Sequence, residues 1–348
     1  MTIKPLIFDR SFEDLEHYFE QRGKPAYRAR QLWEGLYQSL ATSAIEITNL
    51  PLKLREGLET DFRFSAFQEQ DQLQSRDGST QKSLLKAHDG SLIEVVLMRY
   101  DRRRTACIST QVGCGMGCVF CATGQMGFIR NLSRGEIIEQ VLRIERDLVE
   151  QDNHLTNVVV MGMGEPFHNY AETMAAIETL NDGRGFNFGA RRFTISTVGL
   201  VPMIERFTEQ NLQLNLAISL HAATQELRDQ LLPINARYPL GELMHACRRH
   251  VRITKRRITF EWALIEGVND TLEQAHALAE LITGLNCHVN LIPLNPTGGY
   301  QGQQTRPEVV DQFLDVLHQQ GISATVRVRR GVDIQAGCGQ LATEHQNR

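Results

Sequence analysis

No apolar run in these 348 residues approaches the length needed to span a bilayer. The first stretch, MTIKPLIFDRSFEDLEHYFEQ, turns acidic at once and has no long apolar segment, which argues against a secretory signal. Nothing matches a lipidation signal. No internal repeat and no low-complexity tract stands out. Charge of one sign is also scarce: the net charge is −4, which argues weakly against a nucleic-acid binder. These absences lead to the expectation of a soluble cytoplasmic protein without membrane contact. With 42% hydrophobic residues, the chain can bury one large core and a small second one.

Cysteine is present but not as a disulfide framework. There are seven, an odd number, and four crowd into residues 107–121. In a reducing compartment such crowding points to metal or catalysis. Basic residues gather in three runs, RYDRRR (99–104), RRHVRITKRR (248–257) and RVRR (327–330). One such run is ordinarily a solvated face; three in a mildly acidic chain suggest a surface for a polyanion.

Residues 1–62 read as a small helical domain. Ser11 is a candidate N-cap, and Tyr27, Leu32, Trp33, Leu36 and Leu40 recur at helical spacing. Residues 63–100 hold a β-hairpin extension, QKSLLKA and SLIEVVLM flanking HDG. From 101 to 342 short β-rich runs alternate with amphipathic helices, the pattern of a parallel sheet covered by helices. Six such units predict an α/β fold with a partial (β/α)6 barrel. Residues 343–348 form a polar tail, expected to fray.

The unusual residues fall where these strands end. Three cysteines follow the first strand; GMGEP, STVG, SLH and NP follow others. Active sites of barrels are built at that end. Cys114, Cys118 and Cys121, spaced Cys-x3-Cys-x2-Cys, do not match the paired hooks of a zinc knuckle. A cubane iron–sulfur cluster takes four thiolates, so three leave one iron open to a ligand. Cys107 as a fourth ligand is the competing reading, disfavoured by its place inside a strand.

Cys114-x3-Cys118-x2-Cys121, with Phe120 before the last cysteine, resembles the signature of radical S-adenosylmethionine (SAM) enzymes. RTACISTQVGCGMGCVFCATGQMGF, VVMGMGEP, RRFTISTVGLVP, AISLHA, LLPINARYPL, VNLIPLNP and AGCGQLA follow in order from about residue 90 to 342. Together they resemble the RlmN/Cfr family of RNA methyltransferases. The helical N-terminus is similar to that family's accessory RNA-binding domain.

The resemblance implies a [4Fe–4S] cluster on Cys114, Cys118 and Cys121, and two SAM molecules per turnover. It implies that Cys338 carries a methyl group as S-methylcysteine. It makes Cys107 the resolving thiol, in a transient disulfide with Cys338, and Glu94 the proton acceptor. Glycines beside Cys338 suggest a mobile, accessible loop, and Glu94 in its apolar strand suggests partial burial. The positions matching SAM contacts are Gly164, Glu165, Ser196, Ser219, Leu220, His221 and Asn295. Cys247 and Cys287 have no matching role and read as packing residues.

The implied reaction is methylation of adenosine C2 in the peptidyl-transferase region of 23S rRNA. The adenosine 3′ of the anticodon in a subset of tRNAs is the second implied target. A one-electron donor such as flavodoxin and a monomeric state are further expectations. The runner-up is Cfr-type methylation at C8, against which the prolines of GMGEP and NLIPLNP argue. A non-catalytic iron–sulfur or zinc RNA-binding adaptor would have no use for Cys107 and Cys338. A radical SAM enzyme for a protein or small molecule would not need the basic runs.

Overall fold

The computed structural model describes residues 3–328 and 330–342; Arg329 of the RVRR run and the 343–348 tail lie outside the described residues. Three helices come first: α1 (Phe12–Glu20), α2 (Tyr27–Tyr37) and α3 (Leu52–Asp61). Ser11 caps α1 as expected. Its hydroxyl accepts from the Asp14 N–H, and the Asp14 carboxylate accepts from the Ser11 N–H. Leu32, Trp33 and Leu36 are buried at their helical spacing, and Trp33 meets Phe12 edge-on at 5.5 Å. Tyr27, expected among them, is exposed instead; it opens α2, where the chain has not yet turned onto the core.

Next come β1 (Phe67–Gln74), β2 (Thr80–Ala87) and β3 (Leu92–Arg99), an antiparallel meander. The expected hairpin is β2–β3. β1 is additional: FQEQDQLQ is mostly exposed and polar, so its ladder to β2 rather than an apolar face makes it a strand. β3 then pairs antiparallel with β4 (Arg104–Cys107), so the sheet runs unbroken across residue 100.

A separate two-stranded ribbon follows, β5 (Gln111–Gly113) and β6 (Phe128–Asn131), with the short α4 (Ala122–Gln125) between them. The alternating part comprises α5 (Arg134–Val149), β7 (Asn157–Val160), α6 (Tyr170–Asn181), β8 (Phe193–Thr197), α7 (Val201–Gln210), β9 (Asn215–Ser219), α8 (Gln225–Leu231) and α9 (Leu240–Thr254). It continues with β10 (Ile258–Leu264), α10 (Leu272–Ile282), β11 (Cys287–Pro293), α11 (Pro307–Gln319) and β12 (Ala324–Val326). The ten-stranded sheet has the order β1-β2-β3-β4-β7-β8-β9-β10-β11-β12, parallel from β4 onward. Each crossover helix brings the next strand beside the last, as right-handed βα units do. β12 is not paired with β4, so the barrel is partial.

The helical N-terminus docks on α5. The Gly135 N–H donates to Asp9 Oδ1 at 2.8 Å, and Arg146 Nε donates to the Leu40 carbonyl at 2.8 Å. No helix among the described residues is long and apolar enough to cross a membrane.

Candidate active site

The β5–β6 ribbon presents the cysteine loop. Gly113 ends β5 at φ +69°, and a Cβ there would meet the Gly127 carbonyl oxygen at 1.9 Å. Only glycine permits this closure. The Cys114 N–H donates to that same carbonyl at 2.9 Å. Cys114, Cys118 and Cys121 then face one cavity of about 960 Å³ under the strand ends. Burial pushes the Cys114 thiol up to about 12, lifts Cys118 well above the ordinary range, and raises Cys121. Thiolates in such a site need a cationic partner, which iron supplies. Among the described residues no three His, Cys, Asp or Glu side chains gather as around a single ion. A cubane, binding each thiolate through a different iron, spaces its ligands more widely, so the donor set fits a cluster better than a lone metal. Phe120, within the loop, packs edge-on against His221 at 4.9 Å and ties the loop to the end of β9.

The strand ends supply the opposite wall. Gly164 lies at φ +100°, where a Cβ would meet the Gln111 side chain at 2.5 Å. The Glu165 carboxylate is already engaged: Oε1 accepts from the Phe167 N–H and Oε2 from the Val198 N–H, both at 2.9 Å. Burial raises its carboxyl to about 7 against those bonds. Ser196 and Ser219 bring their hydroxyls within 3.3 Å of each other on β8 and β9. His221, at φ +58°, accepts the Ala263 N–H at Nδ1, 2.9 Å away. Burial, then the Arg228 charge, lowers its pKa to about 3, so the ring is neutral and Nε2 carries its proton. Leu220 is fully buried and absent from the cavity lining; its N–H donates to the Glu261 carbonyl at 3.1 Å. Asn295 reaches the Cys338 carbonyl through Nδ2 at 3.1 Å.

Two charged residues in or beside this wall gave little sequence signal. Glu261 lies in the middle of β10, in register with Ser219 on β9 and Asn290 on β11. Oε1 accepts from Asn290 Nδ2 at 2.9 Å, while Oε2 is buried without a hydrogen bond. Glu261 is among the residues that line the cavity, and an unpartnered acceptor beside it fits a site built for a polar ligand. A lone Glu inside the apolar run ITFEWAL was the available signal. Arg228 is also buried; it donates through Nε to the Leu220 carbonyl at 3.3 Å and through Nη2 to the Val198 carbonyl at 2.6 Å. It thereby pins the loops after β8 and β9.

A second cavity of about 740 Å³ holds Cys107 and Cys338, and Cys338 also lines the first. Cys107 ends β4, and burial, with Cys338 nearby, pushes its thiol up to about 12. Arg327, read in the sequence as part of a surface run, lines both cavities instead. The nearby Cys338 is the leading influence that raises its already high pKa. β12 ends at Val326, so Arg327 sits at a strand end like the other site residues.

The segment carrying Cys338 is pinned rather than loose. The Ala122 N–H donates to the Gly339 carbonyl at 2.8 Å, Thr123 Oγ1 donates to the Leu341 carbonyl at 2.5 Å, and Gln340 Nε2 donates to the Pro296 carbonyl at 3.0 Å. The glycines shape the turn; bonds to α4 and to the loop after β11 fix it. Glu94 is buried on β3, not outward-facing. Its Oε1 pairs with Lys82 Nζ at 2.8 Å and its Oε2 accepts from the Ala342 N–H at 2.9 Å. Glu94 lies outside both cavity linings, on the same strand face as Val96, Met98 and Tyr100, which line the second. Cys247 is fully buried in α9 and Cys287 half-buried at the start of β11, both packing against the core.

Two family models match the chain: the Radical SAM superfamily over residues 108–281, and the ribosomal RNA large subunit methyltransferase N-terminal domain over residues 7–63. The chain is 50% identical over 322 residues to the dual-specificity RNA methyltransferase RlmN 1 of Myxococcus xanthus, spanning 92% of this chain and 90% of that one. It is 47% identical over 351 residues to the probable dual-specificity RNA methyltransferase RlmN of Chloroflexus aurantiacus, spanning 97% and 93%. A crystal structure of a radical SAM methyltransferase from Sphaerobacter thermophilus matches with a TM-score of 0.95 at 48% identity, over 97% of this chain and 99% of that one.

Proposed function

The chain belongs to the RlmN family of radical SAM methyltransferases, and from that premise we propose that it methylates C2 of adenosine in 23S rRNA and in a subset of tRNAs. It is an RNA methyltransferase using a [4Fe–4S] cluster and SAM. Cys114, Cys118 and Cys121 hold the cluster. When bound, the cluster and SAM together supply one-electron cleavage of SAM to methionine and a 5′-deoxyadenosyl radical.

The protein's own residues carry the methyl group. C2 of adenine is electron-poor, so an electrophilic methyl has the wrong polarity for it. Cys338 first takes the methyl as a nucleophile, with Arg327 as the guanidinium beside the developing thiolate. A second bound SAM would supply the hydrogen abstraction that lets the S-methyl carbon of Cys338 bond to the base, and the adduct's unpaired electron would return to the cluster. Glu94 removes the ring proton, held ready by Lys82 and the Ala342 N–H. Cys107 attacks the Cys338 sulfur: the S–S bond forms as the C–S bond breaks, the departing carbon takes up a proton to become the product methyl group, and a thiol reductant afterwards restores both cysteines. For SAM, the backbone around Gly164 and Glu165, the Ser196–Ser219 hydroxyl pair, His221 Nε2–H and Asn295 are the contacts. The Leu220 contribution is confined to its backbone. Flavodoxin as electron donor, a monomeric state and a cytoplasmic location complete the reading.

The observation that carries it is that Cys338 stands in the wall common to two cavities. One cavity contains the three cysteines, and the other contains the partner thiol Cys107. A thiol that takes carbon from SAM and delivers it to RNA needs access to both. Removing Cys107 is expected to stall the reaction with RNA bonded to Cys338; removing Cys338 is expected to prevent any bond. Peptide mass spectrometry after nuclease digestion of the Cys107→Ala, Cys338→Ala and double variants checks this. Free methylated RNA at an undiminished rate from Cys107→Ala would sink the resolving role. Chromatography of the modified adenosine distinguishes C2 from the C8 product.

A further inference from the structure

Two of the three basic runs meet at the mouth of the cavity that holds both thiols. Tyr100 belongs to the first run and Arg330 to the last, and both line that cavity with Cys107 and Cys338. The Arg330 guanidinium lies over the Tyr100 ring, 4.5 Å from its centroid, and that of Arg103 lies over it at 4.9 Å. The Tyr100 N–H donates to the Arg103 carbonyl at 2.8 Å, closing a turn that projects Arg102 and Arg103 into solvent. Val328, 69% exposed, stands on the same rim.

These cations are not spent on carboxylates. Among the described residues neither Arg102, Arg103 nor Arg330 forms an ion pair. Asp77 feels the charge of Arg330, but its carboxylate accepts from Ser75 Oγ at 2.6 Å and the Ser79 N–H at 3.0 Å. Two guanidiniums held over one ring at a cavity mouth are pre-oriented cations, with no carboxylate partner among the described residues. The third run lies elsewhere. It spans the end of α9 and leads into β10, so it sits at the amino ends of the strands.

We propose that Tyr100, Arg103 and Arg330 form a phosphate-gripping rim for single-stranded RNA whose adenosine is inserted into the thiol-pair cavity. This rests on the reading of Cys338 and Cys107 given above. A duplex keeps its bases stacked and paired, so a base that reaches the two thiols inside this cavity must be unstacked and single-stranded. The phosphates on either side of that nucleotide then fall at the mouth. Guanidinium forks suit them, and the ring fixes where the forks point.

The test uses the full-length, cluster-loaded chain and a stem–loop RNA with an adenosine in its single-stranded loop. Affinity is measured against salt concentration. Each phosphate contact on a single strand contributes about 0.7 to the slope of log affinity against log salt. Arg103→Gln with Arg330→Gln is therefore expected to flatten the slope by about 1.4. Arg103→Gln alone, at an exposed site, is expected to flatten it by about 0.7 and keeps the test open if the double variant misfolds. Tyr100→Phe should keep the wild-type slope, and Tyr100→Ala should not. Arg252→Gln with Arg257→Gln removes the same charge from the third run and should leave the slope unchanged. An unchanged slope in the Arg103/Arg330 variant, or equal flattening by both pairs, overturns the rim. Methyl gain on the Cys338 peptide, with SAM but no RNA, tests the carrier reading separately. Methylated Cys338 with an unaltered slope removes the rim alone, and an unmethylated Cys338 with a flattened slope removes the carrier alone.

Discussion

Glu165 shows how one side chain can couple the site to pH. Its folded pKa of about 7 lies above the ordinary 4.5 because burial outweighs the two backbone N–H bonds. A raised carboxyl favours the protonated fold. Its contribution is fully present below about 4.5 and is lost as pH rises through about 7, on the order of 3 kcal/mol in all. In the cluster-free chain, denaturant unfolding at pH 5 and pH 8 should show that loss. Glu165→Gln should lack this part of the pH dependence, whatever its constant offset from losing an acceptor. Parallel pH dependences in the two proteins would contradict the burial argument. At this scale the sequence was uneven. Cys114, Cys118 and Cys121 were legible because their spacing is local. Glu261 was not, because strand register makes it the neighbour of Ser219 from another part of the chain, and Arg327 was not, because it stands in a basic run that reads as a surface.

Among elements, the β5–β6 ribbon is the most exacting. It is a two-stranded sheet of its own, and its closure depends on Gly113. Gly113→Ala would place a methyl group against the Gly127 carbonyl in a left-handed backbone, costing about 1–3 kcal/mol locally. The expected outcome is loss of more than half the iron and sulfide after reconstitution, with an unchanged melting transition for the barrel. Full iron content would show that the loop tolerates the opening. The ribbon escaped the sequence reading because three-residue strands carry too little periodicity to register. β1 escaped for the opposite reason, being long enough but nearly all polar. The parallel strands were legible as short β-rich runs between amphipathic helices, β10 being buried along nearly all its length and β9 through its middle, while β7 and β8 alternate.

Across the whole molecule, the helical N-terminus is fastened to the barrel at several points, and one of the closest approaches is at Gly135. A Cβ on Gly135 would meet Leu6 Cδ2 at 2.6 Å and Asp9 Oδ1 at 2.8 Å. Gly135→Ala should therefore cost about 1–3 kcal/mol by overpacking. It should also speed proteolytic removal of the first sixty residues while leaving iron content intact. A wild-type digestion rate would mean that the contact relaxes without cost. Helices and their order could be read from periodicity, but this docking could not, since it rests on a glycine whose neighbour is more than a hundred residues away.

The pinned segment around Cys338 also sets an order of events in time. The Ala342 N–H bonds a carboxylate 248 residues earlier, and Thr123 bonds a carbonyl 218 residues later. At ordinary elongation rates the cysteine loop emerges roughly ten to forty seconds before its last partners exist. Such distant contacts also form late when the chain folds. The three cysteines have emerged while Cys338, the proposed methyl carrier, has yet to be synthesised. A nascent chain thus passes through a stage in which the three cysteines have emerged but Ala122 and Thr123, just beyond them, still lack their partners at Gly339 and Leu341.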